Sequence, residues 1–198
     1  MPLDAAIVEL AQIPVHPYMQ KMMDSGLRER LLPYDAQRVS LAMSRARGGR
    51  DCLEVGPGRC DLTTMLSRSK LYERIVAIDI VDRTKYMPKA VEFRAMSVGS
   101  LEFEDDAFDT VFCMEVLEHL DDATFDAALS ELRRVCRGQL LITVPFLEPM
   151  PSKYHQQRFT ENRVRDLFPN ARKSILLKEP VMRVPWVMME EDHLTPEA

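Results

Sequence analysis

Short apolar runs alternate with longer amphipathic stretches along most of this chain. Short apolar runs are typical of buried strands, and amphipathic stretches are typical of helices with one face on a core. The apolar runs predict strands at about 51–55, 74–79, 91–95, 108–114 and 138–146. The stretches between them predict helices at about 60–70, 84–89, 121–136 and 160–168. This alternation implies a mostly parallel sheet covered by helices on both faces.

The two ends of the chain depart from the alternation. Before the first strand, helical spacing of apolar residues predicts three helices, at about 3–12, 17–32 and 34–47. After the last helix, two apolar runs at about 171–178 and 183–189 predict a final strand pair. Pro185 cannot donate a ladder hydrogen bond, so we expect it at a sheet edge or a bulge.

The most informative motif is the run Leu53-Glu54-Val55-Gly56-Pro57-Gly58, an apolar strand with an acid near its end and a glycine turn. Such a turn lets the backbone approach a ligand closely, and it often holds the pyrophosphate of a dinucleotide. Pro57 argues against a phosphate because it lacks an N–H donor. Asp61 also argues against one, since it would compete for the amides of the helix and stands where the dinucleotide fingerprint has Gly or Ala. A ligand carrying an ammonium and a sulfonium suits these charges better.

Two further runs extend the pattern. Residues 75–79 form an apolar strand that ends in Asp79, 21 residues beyond Gly58, where a carboxylate can take both hydroxyls of a ribose. A third run, at 108–114, leads into Glu115-Val116-Leu117-Glu118-His119-Leu120. With these pieces in this order, residues 50–190 resemble a class I S-adenosylmethionine-dependent methyltransferase, in the branch that acts on small molecules.

The resemblance implies an α/β fold: a Rossmann-like, seven-stranded, mostly parallel sheet with helices on both faces and an N-terminal helical cap. It implies one domain over residues 1–198, with the cap at 1–48 and the core at 49–192. The implied cofactor is S-adenosyl-L-methionine. The residues expected to bind it are Glu54, Gly56, Pro57, Gly58, Asp79, Ile80, Ser97, Val98, Cys113 and Met114.

Within that set, the resemblance gives each part of the cofactor its own partner. Glu54 meets the amino group of the methionine part, and the backbone of 56–58 lies against the same part. Asp79 holds the ribose hydroxyls, and Ile80 touches the adenine. Ser97 departs from the family pattern, which usually has an Asp there to accept a hydrogen bond from the adenine amino group. A neutral hydroxyl accepts a weaker bond than a carboxylate.

Methyl transfer from a sulfonium requires mainly that donor and acceptor are aligned and water is excluded. A base is needed only where the acceptor must lose a proton. The candidate catalytic residues are His155 and His119, each of which also has a structural interpretation. No metal ligand is predicted, because the four cysteines form no CxxC pair and do not cluster with histidine.

Composition narrows the choice of partners. The net charge of −5 predicts no nucleic-acid partner and no anionic membrane surface. No apolar run approaches the ~20 residues of a membrane helix. The start of the chain lacks the pattern of a signal peptide, and the cysteines are expected to be reduced. We therefore expect a cytoplasmic monomer or homodimer that acts on a small-molecule acceptor.

Four functions fit these observations to different degrees. The leading prediction is an O- or C-directed methyltransferase for a small-molecule acceptor. The alternative is a protein that binds S-adenosylmethionine without transferring a methyl group, as a partner or regulatory subunit. Aminopropyl transfer and nicotinamide-dependent dehydrogenation fit the loop at 56–59 less well. Amino methylation of a nucleic-acid base is disfavoured because an Asn/Asp-Pro-Pro-Tyr run does not follow the 108–114 strand.

Overall fold

The computed structural model describes residues 17, 20, 33–150, 152–176 and 185–193. Its strands are β1 (Gly49–Val55), β2 (Tyr72–Asp79), β3 (Val91–Ala95), β4 (Phe108–Met114), β5 (Cys136–Pro145), β6 (Arg172–Leu176) and β7 (Trp186–Asp192). The α-helices of the described part are α1 (Pro33–Arg45), α2 (Asp61–Ser69), α3 (Asp122–Val135) and α4 (Glu161–Leu167). The predicted helix at 84–89 is a short 3₁₀ turn, Thr84–Tyr86.

The seven strands form one sheet in the order β3-β2-β1-β4-β5-β7-β6. Strands β1 to β5 pair in parallel, and β7 runs antiparallel to both β5 and β6. The predicted fold class, including the strand pair at the end, is confirmed. In this order the chain leaves β1 toward β2 on one side and returns to β4 on the other. A crevice is therefore expected at the carboxyl ends of β1 and β4.

Helices cover both faces of the sheet, because the strands carry apolar side chains on both faces. On one face α1 and α2 pack over Ile75, Phe112 and Leu141. On the other face α3 and α4 pack over residues such as Val76 and Val111. The two cores hold the strand ends in fixed positions, and the site is built on those ends.

Pro185 differs from its prediction. It lies neither in an edge strand nor in a bulge, but immediately before β7, which is an interior strand. There its missing N–H costs no ladder bond, and its carbonyl accepts a hydrogen bond from the Phe146 amide at 2.8 Å. The predicted helices at 3–12 and 17–32 lie outside the described residues, apart from the isolated positions 17 and 20, so the helical cap stays a prediction.

The cysteines and a group of arginines have clear structural roles. All four cysteines are free and buried, as predicted. Three arginines at the end of α3 and the start of β5 pair with acidic groups: Arg133 with Glu191, Arg134 with Glu131, and Arg137 with Asp109. These arginines thus stabilise the packing of strands and helices. Among the described residues there is no helix with the length and apolar character needed to cross a membrane.

Candidate functional site

Two adjoining pockets lie at the carboxyl ends of β1, β2 and β4. The larger encloses about 530 Å³ between β2, the loop after β3 and the segment after β4, which is in the usual range for a small-molecule site. The smaller lies between α1, the start of α2 and the end of β1. Both are lined by Gly56, Gly58 and Glu115, so the glycine turn lies between the two pockets and forms part of the wall of each. This is the crevice that the strand order predicts.

Glu54 lines the smaller pocket and is 3% exposed. Its Oε2 atom is buried and has no hydrogen-bond partner. Burial, reinforced by the nearby charge of Asp61, raises the pKa of the Glu54 carboxyl from 4.5 to about 7, although the neighbouring Thr63 hydroxyl and, more weakly, the Arg38 guanidinium oppose this shift. A buried carboxylate without a full set of partners is costly. The residue is therefore poised to receive a cationic donor from a ligand in this pocket.

The glycine turn has little capacity to bind phosphate. Gly56 and Gly58 have left-handed backbones, with φ of 64° and 52°, which glycine adopts without strain. The Gly56 amide donates to the Ile78 carbonyl at 2.8 Å, and the Cys60 amide donates to the Pro57 carbonyl at 2.7 Å. Pro57 has no amide hydrogen. Because three of its amide positions are occupied or lack hydrogen, the turn offers an approach surface rather than a phosphate cradle.

Asp79 ends β2 at the rim of the larger pocket. Its Oδ1 accepts from the Val81 amide at 2.9 Å, and its Oδ2 accepts from Arg83 Nε at 3.0 Å. These two hydrogen bonds hold the carboxylate in one orientation. Each of its oxygens keeps a further lone pair that can accept from a ligand. The next residue, Ile80, is 78% exposed and also lines this pocket. An apolar side chain at the mouth of a pocket offers a surface for a flat, weakly polar ligand group.

Ser97 and Val98 form the opposite wall of the larger pocket, with Met96 beside them. The Ser97 hydroxyl accepts from the Gly99 amide at 3.2 Å, and its carbonyl accepts from the Ser100 amide. The segment is thus a tight turn that presents an exposed hydroxyl and a buried valine. The hydroxyl keeps capacity to accept one more hydrogen bond.

At the end of β4, the two predicted cofactor-binding residues Cys113 and Met114 have different surroundings. Met114 lines the smaller pocket, whereas Cys113 is fully buried in the core and lines neither pocket. Successive strand residues point to opposite faces, so only one of such a pair can face a cleft on a given side. From the sequence, Trp186, Met188 and Met189 could line a substrate pocket or fill the core, and core filling is the favoured interpretation. The structure buries all three in the core. Met19, Met22, Met23 and Met182, other apolar candidates for the pocket wall, lie outside the described residues.

The two candidate histidines are neighbours. Their rings lie 5.1 Å apart, edge to face. His119 lines the larger pocket, whereas His155 lines neither pocket and contacts Glu148 through Nδ1 at 2.8 Å. Glu118, beside His119, is 1% exposed. Burial and the nearby charge of Glu115 raise the pKa of Glu118 well above its ordinary value.

The charged residues of the pockets include Arg38 and Arg83, which the sequence did not single out, and Glu115, which relatives place at the end of the fourth strand facing the cofactor. Glu115 follows β4 with a left-handed φ of 59° and lies 3.9 Å from an Arg38 guanidinium nitrogen. The position of Glu115 directly after an apolar strand indicates a pocket residue. The position of Arg83, four residues after Asp79, is a weaker indication of the same kind. Arg38 could not have been found, because α1 meets this cleft only through tertiary packing.

Comparison with known proteins supports the fold and finds a family model that matches part of the chain. Residues 53–142 match the family model described as a methyltransferase domain. No curated protein matches the sequence significantly.

Solved structures with this fold include the 1,6-didemethyltoxoflavin-N1-methyltransferase of Burkholderia thailandensis, at 17% identity and a TM-score of 0.62, with 96% of this chain and 94% of that one covered. The N-methyltransferase NodS of Bradyrhizobium japonicum has 14% identity and a TM-score of 0.62, with coverage of 88% and 96%. The cyclase SpnF has 16% identity and a TM-score of 0.63, with 84% of each chain covered. The first two were solved with S-adenosylhomocysteine. At these identities the structures establish the fold alone. Residues 53–142 thus match a methyltransferase domain, and they lie within a fold that these solved structures share.

Proposed function

We propose that the two pockets bind S-adenosylmethionine and that the protein transfers its methyl group to a small-molecule acceptor. The observation that carries this proposal is the buried Glu54 carboxylate, whose Oε2 has no hydrogen-bond partner beside a glycine turn. The α-ammonium of a methionine group supplies a cation and N–H donors to such a carboxylate. In this arrangement Asp79 binds the ribose, and the wall formed by Ile80, Ser97 and Val98 contacts the adenine.

The residues present fit this cofactor better than a dinucleotide. The turn amides of Gly56 and Cys60 are used by the protein's own backbone, and Asp61 begins α2 where a phosphate would sit. When bound, S-adenosylmethionine supplies an electrophilic methyl group on a positively charged sulfur. The chain's own groups bind the cofactor's ends, exclude water from the cleft and align an acceptor entering beside Glu115 and His119.

The first experiment is calorimetric titration of the purified protein with S-adenosylhomocysteine, with NADH as the control. We expect binding of the former only, and NADH binding in its place would overturn the proposal. Incubation with methyl-labelled S-adenosylmethionine and a panel of hydroxyl, amine and carbon acceptors then tests transfer. Tight cofactor binding without label transfer to any acceptor would favour the alternative of a non-catalytic binding protein.

Replacing Asp79 by Ala is expected to weaken S-adenosylhomocysteine binding by roughly 1–3 kcal/mol, the usual cost of removing a charged hydrogen-bond partner. The matched control is Asp82→Ala. Asp82 lies in the same loop and accepts from the Thr84 amide at 2.8 Å, but it lines neither pocket. Calorimetry on both variants separates ligand contact from loop stability. Equal affinities for Asp79→Ala and the wild type, in a folded protein, would refute the ribose assignment.

Replacing Ser97 by Asp is expected to tighten S-adenosylhomocysteine binding about threefold to tenfold, because a carboxylate accepts a stronger hydrogen bond than a hydroxyl. An Asp can also keep the turn by accepting from the Gly99 amide in place of the serine oxygen. The control ligand is S-inosylhomocysteine, which lacks the exocyclic amino group of adenine. A gain for that ligand as large as for S-adenosylhomocysteine would show that Ser97 does not face the amino group.

A further inference from the structure

Beside the larger pocket, two imidazoles and a buried carboxylate converge. The cluster consists of Glu118, His119 and His155, each of which offers one ligand atom within 4.8 Å of the others. Glu118 Oε1 lies 3.9 Å from His119 Nε2. The carboxylate is 1% exposed, and its Oε2 has no hydrogen-bond partner. A buried acceptor left without a partner at the meeting point of two histidines points to a bound cation.

The hydrogen bonds of the two histidines support the same assignment. His119 Nδ1 lies 3.1 Å from the Tyr154 carbonyl oxygen, which can only accept. His155 Nδ1 lies 2.8 Å from Glu148 Oε2. Both contacts favour a proton on Nδ1 and leave the Nε2 lone pair of each ring free. Metal-binding histidines are commonly oriented in this way by a carbonyl or a carboxylate on the other ring nitrogen.

The backbone holds both halves of the cluster in place. The amides of Gln156 and Gln157 donate to the Glu118 carbonyl at 2.7 and 3.0 Å. The Gln156 side chain donates to the His119 carbonyl at 3.0 Å. These bonds fix the loop that carries His155 against the segment that carries Glu118 and His119. The donor set is therefore preorganised, as a metal site requires.

Two further carboxylates lie near the cluster, each with a guanidinium beside it, and the kinds of donor atom decide which cation would fit. Glu115 and Glu148 add two carboxylates close to Glu118, while Arg38 and Arg158 lie 3.9 and 3.8 Å from them respectively. Two imidazole nitrogens and one carboxylate suit first-row transition ions, whereas Mg²⁺ and Ca²⁺ prefer oxygen ligands. We propose that Glu118, His119 and His155 bind one divalent first-row transition cation, with Glu148 as a positioning residue for His155.

The site adjoins the pocket assigned to the cofactor, because His119 lines that pocket. Any role for the cation in catalysis rests on the proposed function. A bound cation lowers the pKa of an oxygen it contacts and holds it in position, so the acceptor class would be one that presents a hydroxyl. In that transfer the acceptor oxygen loses its proton to solvent and forms a bond to the methyl carbon. The bond from sulfur to that carbon breaks, and its electron pair passes to sulfur.

The test is titration of metal-free wild-type protein with Co²⁺, followed by visible absorption and calorimetry. We expect one Co²⁺ per chain, with Mg²⁺ binding more weakly. His119→Asn, His155→Asn and Glu118→Gln should each weaken Co²⁺ binding at least tenfold, and Glu148→Gln about tenfold to a hundredfold. The matched control is His193→Asn. His193 lies beside a separate pocket, among Arg133, Glu191 and Asp192, and its loss should leave Co²⁺ binding unchanged.

Two results would overturn the assignment: no Co²⁺ binding to the wild type up to millimolar concentration, or the same affinity in His119→Asn and His155→Asn as in the wild type. The side chain of His119 is 47% exposed, so its replacement is expected to leave a folded protein, which thermal melting verifies. S-adenosylhomocysteine binding to the same metal-free samples reports separately on the proposed function. Loss of that binding with Co²⁺ binding intact would remove the cofactor proposal and leave the cation site standing.

Discussion

Glu54→Gln is expected to stabilise the free protein while weakening its binding of S-adenosylhomocysteine. The folded-state pKa of Glu54 is raised from 4.5 to about 7, so the wild type loses stability as pH rises from about 4.5 through 7. Glutamine has nearly the same shape and no charge. The variant's advantage should therefore be absent near pH 4 and reach at most about 3 kcal/mol above pH 7, at 1.36 kcal/mol per pKa unit. Urea unfolding at several pH values measures it.

The same substitution should weaken ligand binding about tenfold to a hundredfold at pH 8, because a charged hydrogen bond is lost. Wild-type affinity should fall about tenfold from pH 8 to pH 6, since a protonated Glu54 must first release its proton before it can pair with an ammonium. That pH dependence should be absent in Glu54→Gln. Glu73→Gln, on the exposed side of β2, should change neither property. A Glu54→Gln protein that is less stable and binds as tightly as the wild type would contradict the assignment.

Gly56→Ala is expected to destabilise the protein by roughly 2–4 kcal/mol and to weaken S-adenosylhomocysteine binding more than tenfold. A Cβ at this position would lie 2.5 Å from Val116 Cγ2, and the backbone has a φ of +64°. The left-handed conformation costs an alanine about 1–2 kcal/mol, and overpacking adds typically 1–3 kcal/mol. Because Gly56 and Val116 both line the larger pocket, relief of the clash must deform it. Thermal unfolding and calorimetry measure the two effects.

Gly58→Ala is the matched control. It shares the left-handed backbone, with a φ of +52°, but the nearest atom to its added Cβ is 3.9 Å away. Its free energy of unfolding should fall only by the amount that the left-handed backbone costs an alanine. Adding Val116→Ala to Gly56→Ala should restore part of the lost stability, and the double-mutant cycle gives the size of the clash. Equal losses for the two glycines would mean that Val116 does not constrain the turn.

Much of this arrangement was predictable from the sequence because its signals are local. The strand from 51 to 55, the glycine turn and the acid at 79 each lie in a short run whose periodicity is decided by neighbouring residues. Parallel strands then bring their carboxyl ends to one edge of the sheet, so Glu54 and Asp79 meet the same cleft without further information. The predicted bounds of β3 and β4 match the structure for the same reason.

Where the prediction failed or was open, the deciding contacts are distant in sequence. Pro185 was expected at an edge, but the antiparallel pairing of β7 with both β5 and β6 makes that strand an interior one. Cys113 was expected to face the cofactor, but the packing of both sheet faces buries it in the core. The same packing brings Arg38 of α1 to the end of β1.

The sequence by itself determined the fold class, the glycine turn and the acids at the ends of two strands, because strand periodicity and turn chemistry are properties of a few adjacent residues. Only the tertiary structure decided that Glu54 has a buried oxygen without a hydrogen-bond partner and that Asp79 is held by Arg83. It also decided that His155 lies against His119, from which it is separated by 36 positions. Side-chain burial and hydrogen bonding depend on which segments pack together, and packing depends on the whole sheet rather than on any one run of residues.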